Sequence, residues 1–201
     1  MTRLAYRPFL AIAMLVAATS APAQRMSEGY EYLKAVREAN GTKVQELTDK
    51  PGSQIINTRD PSTGETALHI VAKRGDVTYV RYLVARGAAI NAQDGRGNTP
   101  LLLATSGNFI EAVDQLTKLR ANVNLGNQSG ETPLIRAVQL RNLELVRLLL
   151  AAGANADQRD VVAGLSARDY ANQDSRSPAI VKLINDAPKT APRAVAGPKL
   201  R

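Results

Sequence analysis

GETPLIRAVQLRNLELVRLLLAAGANAD, residues 130–157, repeats a stretch already present at 64–91, GETALHIVAKRGDVTYVRYLVARGAAIN. Ten of the 28 aligned positions are identical. The true period is half the offset between the two stretches. Gly64-Glu-Thr66, Gly97-Asn-Thr99 and Gly130-Glu-Thr132 are evenly spaced, and a degenerate copy, Gly164-Leu-Ser166, falls one position late. Leu68, Leu101 and Leu134 keep the same step, as do Val80, Val113 and Val146, then Leu83, Leu116 and Leu149. Ala88, Ala121 and Ala154 keep it too, followed by Asn91, Asn124 and Asp157. Self-similarity at a fixed step of about 33 positions is the signature of stacked repeats.

Each unit reads as two short helices. The Thr hydroxyl is placed to cap the first, because it can accept a bond from a free N–H of the opening turn. Pro100 and Pro133 follow two of the threonines, and proline is favoured at the first helical position. One short helix later the chain breaks at Arg74-Gly75, Gly107-Asn108 or Arg141-Asn142. A second helix follows, VTYVRYLVA in the first copy and LELVRLLLA in the third, with Val80, Leu83 and Val84 on one face. Gly87 and Gly153 supply the left-handed residue that ends it. Helices this short are marginal alone, so each pair must bury its apolar face on its neighbours.

The pattern resembles the ankyrin repeat. Thr66-Ala-Leu-His69, Thr99-Pro-Leu-Leu102 and Thr132-Pro-Leu-Ile135 correspond to the family's T-P-L-H, and Gly87-Ala88 and Gly153-Ala154 to its G-A. The resemblance covers residues 57–186 and implies an all-α ankyrin-repeat solenoid of stacked helix-turn-helix units with short hairpin-like fingers. Two features depart from it. Arg120 stands where the family has a helix-ending glycine, and Leu102 and Ile135 replace the histidine. A non-glycine residue in a left-handed conformation costs about 1 kcal/mol, which makes the second repeat the softest interior unit.

The chain divides into a signal peptide at 1–23, N-terminal capping helices at 24–56, repeats at 57–93, 94–126 and 127–159, a C-terminal cap at 160–186 and a disordered basic tail at 187–201. In the N-terminal cap, Tyr30, Leu33 and Val36 are expected on one buried face, with Val44 and Leu47 on a second helix, and Pro51-Gly52 then turns the chain. In the C-terminal cap, Ser166-Ala-Arg-Asp169 reads as a capping box, and Ser177-Pro178 as a cap with its first-turn proline.

Arg3 and Arg7, the apolar run FLAIAMLVAA at 9–18 and the Ala21-x-Ala23 spacing make a secretory signal, with cleavage expected between Ala23 and Gln24. The run is shorter than the roughly 20 apolar residues of a spanning helix, so the mature chain is expected to carry no transmembrane segment. There is no cysteine. An exported protein without disulfides points to a bacterial periplasm more than to a eukaryotic extracellular space. The whole therefore looks like a bacterial periplasmic ankyrin-repeat protein. Asn40-Gly-Thr42 and Asn127-Gln-Ser129 are sequons that matter only in a eukaryote. The net charge is +8, but Arg3 and Arg7 fall in the signal and Lys189, Arg193, Lys199 and Arg201 in the tail. Residues 24–186 carry only +2, which argues against nucleic acid as a partner.

No catalytic constellation is present. His69 is the only histidine, and it reads as a structural hydrogen-bonding residue of the first helix. Without cysteine or a second histidine no zinc site is expected, and no metal or cofactor. There is no nucleophile–base pair and no G-x-S-x-G. DGRGN at 94–98 lacks phosphate-loop spacing. Glu65 and Glu131 lie two repeats apart, too far for paired acid–base work.

The resemblance implies binding of another protein through the concave face. Carried over residue by residue, the finger positions are Arg59, Ser62, Thr63 and Glu65; Gln93, Arg96 and Asn98; Gln128, Ser129 and Glu131; Gln158 and Arg159. The first-helix positions are Lys73, Arg74, Ser106, Gln139 and Leu140. The excess of cations among them favours a partner with some acidic surface, and the chain is expected to be monomeric. Two alternatives stand beside this reading: an envelope-associated protein that contacts an anionic surface through its tail, and an enzyme accessory whose site is unrecognised.

Overall fold

A computed structural model describes residues 20–50, 54–174 and 176–189, with burial from Glu28 onward. Among these, ten α-helices form five antiparallel pairs. The pairs are α1 (Ser20–Arg37) with α2 (Gly41–Thr48), α3 (Ala67–Arg74) with α4 (Val77–Ala85), and α5 (Pro100–Ser106) with α6 (Ile110–Lys118). They continue as α7 (Pro133–Gln139) with α8 (Leu143–Ala151), and α9 (Ala167–Gln173) with α10 (Pro178–Asp186). The first helices stack in one layer, α1 on α3 on α5 on α7 on α9, and the second helices α4, α6, α8 and α10 in another. The architecture is an all-α repeat solenoid. The expected signal segment up to Thr19, the Pro51-Gly52 turn and the tail from Thr190 lie outside the described residues.

The periodic residues build this stack. Leu68, Leu101, Leu134, Val80, Val113, Val146, Leu83, Leu116 and Leu149 are buried in one continuous core. Thr99 and Thr132 accept the N–H of Leu102 (3.1 Å) and Ile135 (3.3 Å), so a buried hydroxyl starts each first helix. Ser166 and Asp169 form the expected reciprocal box, each side chain accepting the other's backbone N–H at 3.1 and 3.0 Å. Pro178 opens α10 as expected, but Ser177 makes no side-chain cap bond. Gly87, Arg120 and Gly153 adopt φ of 88°, 68° and 90°, so Arg120 does hold the left-handed turn written for glycine.

The N-terminal cap corrects one expectation. Tyr30 is 64% exposed, while Tyr32 is fully buried beside Leu33 and Val36. The buried stripe is Gly29, Tyr32, Leu33, Val36, which is the i, i+3, i+4, i+7 spacing of one helix face. Tyr30 stands two residues before Tyr32 and so faces solvent. Gly29 belongs to the stripe because a Cβ there would lie 2.9 Å from Thr58 Cγ2.

A row of asparagines runs beside the second helices and fixes one repeat to the next. Asn57 accepts the N–H of Ala89 (2.8 Å) and donates to the Gly87 carbonyl (3.1 Å). Asn91 accepts from Asn122 (2.8 Å). Asn124 accepts from Asn155 (2.7 Å) and donates to Gly153 (3.1 Å). At the last rung stands Asp157, and the pair that follows it, α9–α10, meets it through Arg168: the guanidinium bonds Asp157 (2.7 Å) and the carbonyls of Ile184 and Ala187 (3.3 Å). An amide that donates and accepts is replaced by an acceptor-only carboxylate, matched by a donor-only guanidinium.

Candidate protein-binding surface

The fingers between repeats are four turns built on one plan. Each is organised by an Asp or Asn whose Oδ1 accepts backbone N–H groups two to four residues on, the Asx-turn arrangement. Asp60 accepts from Ser62 (2.9 Å) and Thr63 (3.1 Å). Asp94 accepts from Arg96 and Asn98 (both 2.8 Å). Asn127 accepts from Ser129 (3.0 Å) and Glu131 (3.1 Å), and Asp160 from Val162, Ala163 and Gly164 (3.0, 2.7 and 3.1 Å). Each finger then reverses at a glycine with positive φ, Gly64, Gly97, Gly130 or Gly164. The Ser62 hydroxyl and these N–H groups hold the Asp60 carboxyl far below the usual carboxylate range. The Tyr170 hydroxyl, 2.6 Å away, together with three backbone N–H groups, lowers Asp160 in the same way. These ionised carboxylates serve the turns.

Several residues carried over as partner contacts also bond within and between repeats. Arg59 donates to the carbonyls of Gly64 (3.1 Å) and Gln93 (2.6 Å). Gln93 donates to Gly97 (2.9 Å) and Gly126 (3.1 Å), and Gln128 to Gly95 (3.1 Å). Asn98 is bound on every side: its amide donates to Asp94 (3.0 Å), its Oδ1 accepts from Asn127 (3.0 Å), and its carbonyl accepts from His69 Nε2 (3.0 Å). Glu131 pairs with Arg136 at 2.8 Å. Arg74 donates to the Val36 carbonyl (2.9 Å), pairs with Asp76 (2.9 Å) and lies over the Tyr79 ring, tying the N-terminal cap to the first repeat.

The remaining positions reach solvent. Arg96, Ser106 and Ser129 are exposed and make no side-chain hydrogen bond among the described residues, and Leu140 is 41% exposed. Ser62 and Thr63 are exposed at the first finger, though the Ser62 hydroxyl turns back onto Asp60 (2.6 Å). Lys73 is exposed and weakly paired with Glu65 at 3.4 Å, whereas Arg159 donates to the Gly164 carbonyl (2.6 Å), as Arg59 does to Gly64, and lies 3.4 Å from Asp169. Gln139 is exposed beside Tyr170, and Gln158 is half-buried.

His69 is fully buried and bridges two repeats. Its Nδ1 accepts the Thr66 N–H (3.1 Å) and lies 2.9 Å from the Thr66 hydroxyl, while Nε2 donates to Asn98. Burial pushes its pKa below the ordinary value, which keeps it the neutral Nε2–H form these partners need. Its bonds are structural. Among the described residues, no cluster of three or more His, Asp or Glu is placed to hold a metal ion.

Two features of this surface lie beyond the residues expected from the sequence. The Asx residues 60, 94, 127 and 160 recur at nearly the repeat period and could have been found by it. Val161 and Val162, 74% and 80% exposed at the last finger, could have been found as apolar residues inside a turn.

The family model for ankyrin repeats (3 copies) matches residues 33–126 and 86–160, well over half of the chain. The chain belongs to the ankyrin-repeat family. The match begins at Leu33, inside α1, so the family pattern takes in part of the N-terminal helical pair. Human diacylglycerol kinase iota is 35% identical to this ankyrin-repeat chain over 66 residues, 33% of this chain and 6% of the kinase. "Putative ankyrin repeat protein L271" of Acanthamoeba polyphaga mimivirus is 37% identical over 59 residues, 29% of this chain and 8% of the viral protein. The matched segments are thus less than a tenth of the length of these curated relatives.

Proposed function

We propose that this ankyrin-repeat chain is a non-catalytic scaffold that binds a partner protein through its finger row and the exposed ends of α3, α5 and α7. One observation carries the reading. Residues that recur from copy to copy bond inward, whereas Arg96, Ser106, Ser129 and Leu140 differ between copies and face solvent. A rigid array that presents an unshared set at equal spacing is a recognition surface. Arg96 and Lys73 favour a partner with some acidic surface. Its place is the periplasm, reached by the N-terminal signal. Cleavage after Ala23 would remove only the first turn of α1 and leave the buried stripe from Gly29 to Val36 in place. No helix among the described residues is long and apolar enough to cross a membrane.

The test is copurification from the native host, comparing wild type with Arg96→Glu/Ser129→Glu/Leu140→Glu. Arg59 and Arg74 stay intact because they hold the fold. Loss of a captured protein from the variant supports the named surface; an unchanged captured set refutes it. Mass spectrometry of the periplasmic fraction tests export, with Gln24 expected as the first residue. The four cations of the tail, with no acid among them, support a second contact, to an anionic envelope surface. Sedimentation with membranes that is lost in salt, and lost on truncation after residue 186, would identify it.

A further inference from the structure

Neighbouring fingers are joined by one repeated backbone bond. Gly95 N–H donates to the Thr63 carbonyl (2.8 Å), Gln128 to Arg96 (3.1 Å) and Val161 to Ser129 (2.9 Å). The acceptor always precedes the left-handed glycine, and the donor always follows the Asx residue. The two ends of this ladder are unlike. At the first finger the donor position is Pro61, which has no N–H. At the last finger the acceptor position is Ala163, and its carbonyl receives no bond from any described residue.

The side chains follow the same asymmetry. The two positions after the Asx residue are Pro61-Ser62, Gly95-Arg96 and Gln128-Ser129 in the first three fingers, and Val161-Val162 in the last. These valines are the most exposed large apolar residues described. The helical layers at the same end close differently. Asn172, Gln173, Lys182, Asn185 and Asp186 face solvent there, a polar capping surface of the kind a terminal repeat needs. Among the described residues the helices are sealed and the finger row is left open.

We propose that the edge Val161–Gly164 docks a segment of another protein, which donates a backbone N–H to the Ala163 carbonyl and lays an apolar side chain on Val161 and Val162. This continues the interface the chain already makes three times between its own fingers, in the manner of strand addition to an open edge. A second copy does not fit. Its first finger has Pro61 where the donor is needed. Its last finger has no donor left, because Val162, Ala163 and Gly164 all give their N–H to Asp160 and Val161 gives its own to Ser129. The inference is independent of the concave surface proposed above.

The natural donor supplies the probe: a synthetic peptide with the sequence of residues 157–168, DQRDVVAGLSAR, in which the N–H at the Val161 position is free. It is titrated onto the ¹⁵N-labelled full chain beside an analogue N-methylated at that position. The peptide should shift the amides of residues 161–164 and bind in about the millimolar range. N-methylation should weaken it about fivefold, the loss of one hydrogen bond. Val161→Ser/Val162→Ser in the full chain should weaken it about tenfold, with its urea midpoint unchanged to show that folding is intact. Arg96→Glu/Leu140→Glu, which alters the concave surface, should bind the peptide as wild type does. The proposal is overturned by shifts away from residues 161–164, by no shift, by equal binding of the N-methylated peptide, or by self-association of the chain through the same amides.

Discussion

Repeats one and two make the same two turns with different residues. In the first, Gly75 takes the left-handed turn after α3 (φ 73°), Asp76 caps α4 through the Tyr79 N–H (3.0 Å), and Gly87 ends α4. In the second, Asn108 takes the first turn (φ 59°), Phe109 stands at the cap position without a side-chain bond, and Arg120 takes the last turn (φ 68°). Phe109 compensates across the repeat boundary. Its ring packs so closely that a Cβ on Gly75 would lie 2.6 Å from it, and one on Gly107 closer still. The first repeat caps its second helix with its own Asp76. The second has no such cap and sets a ring between Gly75 and Gly107, so the same period conceals a local hydrogen bond in one copy and packing across the repeat boundary in the other.

The largest break in this comparison is Phe109→Ala. It leaves an empty slot between two glycines and gives no cap in return. The expected loss is about 3 kcal/mol, read as a fall in the urea midpoint, with hydrogen exchange quickening in α5 and α6 before α7 and α8. A Phe109→Asp variant, which restores the cap pattern of Asp76, should lose less. If both variants lose the same amount, the cap has no part in the difference.

Next comes the closing rung. Arg168→Met should cost about 2 kcal/mol, because it removes a guanidinium that bonds Asp157 and donates to two carbonyls of the C-terminal cap. The loss should appear as exposure of α9 and α10 alone. Uniform loss of protection along the array would mean that the clasp is not local.

His69 sharpens the comparison through pH, since the second repeat has Leu102 in its place. The folded pKa lies below the ordinary value, so near and below about pH 6.5 the unfolded chain binds a proton that the folded chain refuses. Its stabilising share is therefore present above that pH and declines as pH falls. Urea midpoints at pH 7.5 and 5.5 should converge for wild type and His69→Leu, with wild type higher at pH 7.5. A constant gap would remove the histidine from the account. Asp94 and Glu65 favour the protonated ring and Arg59 opposes it, so Asp94→Asn should deepen the decline.

The smallest effect runs the other way. Arg120→Gly should raise stability by about 1 kcal/mol, by relieving a side chain held at positive φ. No gain would mean that the left-handed turn is strain-free for this arginine.

How much was legible beforehand follows from where each signal lies. Thr99, Thr132, Gly87 and the Leu and Val of the core act within a turn or two of themselves and recur, so period and local chemistry find them. The sequence points to Tyr30 where the structure buries Tyr32 because the N-terminal helix has no sister copy to fix its phase, and Gly29 hides the fourth position of its stripe. Arg168 acts on residues 11 to 19 positions away, with no local pattern to mark it. The surface was the least legible part. Arg59, Arg74, Gln93 and Asn98 occupy positions that in the family face a partner. Whether a given arginine reaches outward or back onto a carbonyl depends on the neighbouring repeat, which a position-by-position transfer does not see.

The closing of the asparagine row also bears on how such an array changes length. Every interior rung is complementary to every other, so a cassette of one whole repeat inserted between two rungs finds a matching neighbour on both sides. After Asp157 it finds a carboxylate already claimed by Arg168. Growth or loss of copies is thus expected in the middle of the chain rather than at the junction after Asp157, and length variants should share the segment from Asp157 to Ala187 while differing in the number of units before it.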